Sequence, residues 1–106
     1  MSTNTPEKKI ISSWFEKSKQ QLVMIVFSSS WSGSTHILRT YLRALIEEFP
    51  QIHKVFVDIE EQKELATEFG ITKIPTTVIM KEGEVSDTLI GTVSKKKLRA
   101  LIESHL

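Results

Sequence analysis

Three hydroxyls, an indole and an imidazole lie within one short stretch, Trp31-Ser32-Gly33-Ser34-Thr35-His36. Just ahead of a helix, Ser32 and Thr35 could present hydroxyls to a ligand where free backbone N–H groups favour anions. Ser32 or Ser34 could equally N-cap that helix and do nothing more. His36 stands four residues after Ser32, which suggests a serine nucleophile with its base. That chemistry also needs an acid to orient the imidazole and donors for the oxyanion, and the sequence shows neither. His36, His53 and His105 are far apart, and no pair has metal-ligand spacing on one helix face, so no metal is expected. Lys95-Lys96-Lys97 with Arg99 reads as a solvated helix face or a phosphate-binding patch.

Cysteine is absent. That excludes disulfides, thiol nucleophiles and thiolate metal sites. A helix N-terminus can bring a cysteine pKa from ~8.5 down to ~3.5–7.5. An alkanol starts many units higher, so Ser32 stays a hydroxyl at neutral pH. Thiol–disulfide exchange needs a thiolate attacking sulfur, and this chain has none to offer. No cofactor is expected.

The chain has 106 residues, 40% of them hydrophobic and 25% charged, which is the length and composition of one soluble domain. A formal charge of +1 gives no global pull toward nucleic acid or an anionic membrane. The longest apolar run, Leu22 to Phe27, falls far short of the ~20 residues that span a bilayer. The N-terminal MSTNTPEKK lacks the apolar segment of a signal peptide, so a cytoplasmic location is expected.

The elements that must position these residues follow from punctuation and period. Residues 1–5 form a polar tail, and residues 6–106 are expected to form the domain. Thr5-Pro6-Glu7 reads as a helix start, with Ile10, Ile11, Trp14 and Phe15 at helical spacing. Leu22 to Phe27 does not alternate, which predicts a strand buried on both faces. Ile37, Leu38, Tyr41, Leu42, Leu45, Ile46 and Phe49 predict a long helix ending at Pro50. A strand over 54–58, a helix over 61–69 with Gly70 as left-handed cap, and strands over 76–80 and 85–90 follow. Lys81-Glu82-Gly83-Glu84 turns between the last two strands, and Ser94 caps a final helix with Leu98, Leu101 and Ile102 on its apolar face. Strands separated by helices predict parallel pairing, and the last two form a hairpin. The fold class is α/β, a mixed four-stranded sheet with helices on both faces.

These residues resemble the thioredoxin family. The resemblance rests on Val26-Phe27, Trp31-Ser32-Gly33-Ser34-Thr35 at a helix start, Phe69-Gly70-Ile71-Thr72-Lys73-Ile74-Pro75-Thr76, Lys81-Glu82-Gly83-Glu84, and then Gly91 and Ser94. It runs from about residue 7 to the C-terminus. It implies a thioredoxin fold with strand order 54–58, 22–27, 76–81, 84–90, five-stranded if the N-terminus adds an edge strand. It also implies a cis peptide bond at Pro75, an arrangement uncommon among X–Pro bonds.

The departures carry equal weight. The family motif Trp-Cys-Gly-Pro-Cys here reads Trp31-Ser32-Gly33-Ser34-Thr35, and the buried aspartate that often precedes Phe27 is Val26. Lys54 matches a lysine that neighbours that aspartate in the family, and its role here is expected to be structural. What survives is the family's binding surface. Trp31 flanks it, and Ile74, Pro75 and Thr76 offer main-chain groups that pair with an extended peptide. Trp31, Ser32, Gly33, Ser34, Thr35, Ile74, Pro75, Thr76 and Gly91 are therefore the candidate site. Trp31 reads equally as packing against the domain, and Pro75 as a purely structural residue.

Two functional readings follow. One is a peptide- or protein-binding module without redox chemistry, similar to the cysteine-free thioredoxin folds of phosducin, calsequestrin and the non-catalytic domains of protein disulfide isomerase. The other is a thioredoxin-type disulfide oxidoreductase whose cysteines have been replaced by mutation. The expected partner is a protein or extended peptide. The 54–58 strand, if left as a sheet edge, could also pair two copies of the chain.

Overall fold

The computed structural model describes residues 6–29, 33–91 and 94–106, without the side chains at 34–38 and 46. The element order is α1 (Pro6–Ser18), β1 (Val23–Ser28), α2 (Gly33–Glu48), β2 (His53–Asp58), α3 (Lys63–Glu68), β3 (Thr76–Lys81), β4 (Glu84–Ile90) and α4 (Lys95–His105). The sheet order is β2-β1-β3-β4. β1 runs parallel to β2 and antiparallel to β3, and β3 and β4 form an antiparallel hairpin. This is the strand order that the family resemblance implies, with four strands among the described residues. The polar tail and its Thr5 cap lie outside them.

Every residue of β1 is buried, which is why its sequence does not alternate. Met24 and Val26 point into a cluster with Leu42, Leu45, Ile79, Leu98 and Ile102, the layer of α2 and α4. Val23, Ile25 and Phe27 point the other way, onto Trp14, Leu65 and Ala66 of α1 and α3. The strand is displaced by one residue from the expected 22–27. Leu22 stays buried, but its part in the ladder is only a carbonyl that accepts from His53 N at 2.8 Å.

Helix α3 is shorter than the expected 61–69. Gln62 adopts φ −128°, ψ 59°, outside the helical region, so the helix starts at Lys63. Its other end closes as the sequence indicates. Gly70 takes φ +66°, its N–H donates to Thr67 O (3.0 Å), and Ile71 N–H donates to Ala66 O (2.9 Å). This is a Schellman cap, and Ile71 packs on the same cluster as Ala66. At the start of α4, Ser94 Oγ accepts from Lys97 N at 3.1 Å.

The β3–β4 turn places Glu82 and Gly83 both at positive φ, 54° and 83°, as a two-residue hairpin turn requires. Helix α1 holds that turn in place. Ser18 O accepts from Glu82 N (2.8 Å) and Ser18 Oγ accepts from Gly83 N (3.0 Å). Arg99 on α4 makes a two-pronged ion pair with Glu48 on α2, so it is not part of a free phosphate-binding patch.

Candidate functional site

The described candidate residues converge on one end of the sheet. In register, Phe27 at the end of β1 lies opposite Thr76 at the start of β3, and Thr76 lies opposite Ile90 at the end of β4. The chain leaves β1 through Ser28 and Ser29, both buried. Ser28 O accepts from Ile59 N at 2.9 Å, and Ser29 Oγ donates to Glu60 Oε1 at 3.2 Å. Trp31 and Ser32 lie outside the described residues. Helix α2 begins at Gly33. Ser34 is therefore already inside the helix, which overturns its reading as the N-cap. The side chains of Ser34, Thr35 and His36 are among those not described, so the Ser32–His36 pairing lies outside the described residues.

The loop before β3 enters the sheet at the same end. The Ile74–Pro75 peptide bond is cis. Pro75 O accepts from Gly91 N at 2.7 Å, which ties the end of β4 to the proline. Gly91 sits at φ +88°, with open space where a Cβ would be, so backbone conformation selects glycine there. Thr76 is buried, and its Oγ1 donates to Lys73 O at 2.6 Å. Its hydroxyl shapes the loop and is not offered to a ligand. Neither the N–H nor the C=O of half-buried Ile74 takes a partner among the described residues. Main-chain groups without a protein partner are free to pair with a ligand that supplies one.

One residue of this surface is not evident from the sequence. Ile90 is 64% exposed, directly before Gly91. With Ile71, Thr72, Lys73, Thr76 and Thr88 it lines a shallow groove of about 190 Å³. The apolar residues of β4 were legible, but which of them faces outward is set by register.

The chemistry beneath the site is apolar. Val26 is 1% exposed and packed among aliphatic side chains. Lys54 pairs in register with Met24, not with Val26, and its side chain is exposed. Asp58 Oδ1 accepts from Glu60 N at 2.9 Å and closes the turn after β2. Burial, and then the Lys17 ammonium, hold the His53 imidazole below its ordinary range. His105 Nε2 lies 3.6 Å from Asp87 Oδ2. No cluster of metal ligands occurs among the described residues, and none of their helices is long and apolar enough to cross a membrane.

A thioredoxin family model matches residues 7–104 of the chain. Thioredoxin from Bacillus subtilis (strain 168) is 30% identical over 95 residues, covering 89% of this chain and 91% of that protein. A thioredoxin H-type from Fagopyrum esculentum is 32% identical over 79 residues, covering 73% and 68% respectively. Among solved structures, thioredoxin from Fasciola hepatica is similar with a TM-score of 0.84 and 26% identity, over 93% of this chain and 94% of that one.

Proposed function

The chain belongs to the thioredoxin family, and on that premise we propose that it is a binding module that holds an extended peptide or protein segment on the family's former active-site surface. The observation that carries this reading is the main chain of Ile74, which takes no partner among the described residues, set beside Gly91 and the exposed Ile90. An extended segment laid along residues 74–76 would pair with Ile74 N–H and C=O and bury the Ile90 side chain. On the family resemblance, Trp31 and residues 32–35 would border it. Ligand binding there asks nothing of a thiol, so it is compatible with a chain that lacks cysteine.

A linear peptide selected from a displayed library on this protein tests the reading. Ile90→Asp places a charge where the peptide should bury an apolar side chain, and it is expected to weaken binding about tenfold or more, ~1.4 kcal/mol. Binding that is indifferent to Ile90→Asp would sink the proposal.

The alternative is a disulfide oxidoreductase whose cysteines have been replaced. The completeness of its family frame, matched over residues 7–104, favours it. The apolar setting of Val26 opposes it, because no buried carboxylate is present to assist proton transfer. Ser32→Cys with Thr35→Cys separates the two. Insulin disulfide reduction in the doubly substituted protein is expected to stay at least about tenfold below that of the Bacillus subtilis thioredoxin, a barrier difference of ~1.4 kcal/mol or more. Equal rates would favour the oxidoreductase.

A further inference from the structure

A second surface lies on the opposite edge of the sheet. β2 has a neighbour on one side only among the described residues. His53 N–H donates to Leu22 O, and Ile59 N–H donates to Ser28 O. In a parallel ladder the odd residues of β2 therefore bond β1, and the main-chain groups of Lys54 and Phe56 point outward. Beside this edge, Arg39 and Arg43 of α2, with Lys54 and Phe56 of β2, line a groove of about 300 Å³. The Arg39 guanidinium lies 5.2 Å from the centre of the Phe56 ring. Arg39, Arg43 and Lys54 are exposed, and none belongs to an ion pair among the described residues.

We propose that this edge binds an extended acidic segment of a partner protein, as an added strand beside β2 whose carboxylates meet Arg39, Arg43 and Lys54. The two features specify the same ligand. A strand added at an edge supplies N–H and C=O groups to Lys54 and Phe56. Alternate side chains of that strand fall on the α2 side of the sheet, beside Lys54 and below the two arginines. Guanidinium groups favour carboxylates there, through paired charge-assisted hydrogen bonds. A second copy of this chain fits less well. It would bring the same three cations to the same place, and its Asp58 carboxylate is already engaged with Glu60 N. This surface is separate from the Ile74–Gly91 site and does not rest on it.

The probe is a fluorescent, end-capped peptide alternating Glu and Val, with a Lys–Val peptide as control. Anisotropy should show binding of the acidic peptide only, weakening as salt rises. Amide exchange should slow at Lys54 and Phe56. Arg39→Glu with Arg43→Glu changes exposed helix positions and is expected to weaken binding by at least about tenfold, ~1.4 kcal/mol. Lys54→Pro removes one outward N–H at an edge position that tolerates proline, and is expected to weaken binding with the circular dichroism spectrum unchanged. Unchanged affinity in the arginine variant would overturn the proposal. So would exchange protection at Ile74 and Gly91 instead, or light scattering showing a dimer whose interface excludes the peptide. Inorganic phosphate binding as tightly as the peptide would make the groove a small-anion site and would also overturn it.

Discussion

Phe27→Ala is expected to destabilise the protein by about 3–5 kcal/mol, the range for removing a buried aromatic ring. Phe27 is fully buried at the end of the central strand. Its ring stands edge-on to Trp14 at 6.4 Å and tilted against Phe69 at 5.4 Å. Those two rings come from α1 and from the end of α3, so one side chain joins three elements. β1 is held by strands on both sides and helices on both faces, so the cavity cannot collapse by moving one element. Against a typical stability of ~5–15 kcal/mol, the loss removes a large fraction. Urea unfolding should show a lower midpoint with an unchanged slope. A change below about 1 kcal/mol would mean that the ring is not packed as described.

Val26→Asp is expected to cost about as much at neutral pH, ~3–5 kcal/mol, as an uncompensated buried charge. The position is 1% exposed and surrounded by Met24, Leu42, Leu45 and Ile79. Burial would push the new carboxyl above its ordinary range of about 3.9. The sign follows from linkage. A group whose folded pKa is raised keeps its full stability below the unfolded pKa and loses it as pH rises through the folded one. The variant should therefore be closest to the parent near pH 4 and fall furthest behind at pH 7. Urea midpoints of both proteins at the two pH values check this. An equal deficit at both would show that the carboxylate finds a partner there. The dependence bears on function, because a proton-transferring carboxylate at this position would be a burden in the present core.

Much of this was legible in the sequence. The unalternating run from Leu22 announced a strand buried on both faces, Gly70 and Ser94 announced their caps, and Gly83 its turn. Each depends on a residue's own backbone preference or on burial from all sides. The sheet order came through the family resemblance, carried by Ile74-Pro75-Thr76 and Gly91, and the observed order matches it. What was not legible depends on register between distant segments. The 64% exposure of Ile90 is one case, since an isoleucine near the end of a strand reads as core. Thr76 is the converse, a polar site candidate whose hydroxyl turned inward to Lys73 O. The grouping of Arg39, Arg43 and Lys54 is a third, because a helix and a strand meet there across the sheet face.

The most direct test of the central claim is amide-resolved hydrogen exchange with the library-selected peptide added in excess. The account predicts slowed exchange at Ile74 N–H, an amide without a partner among the described residues of the free protein, together with a changed environment at Ile90 and Gly91. Exchange at Ile74 that stays as fast as in the free protein, while the peptide is bound, would contradict it.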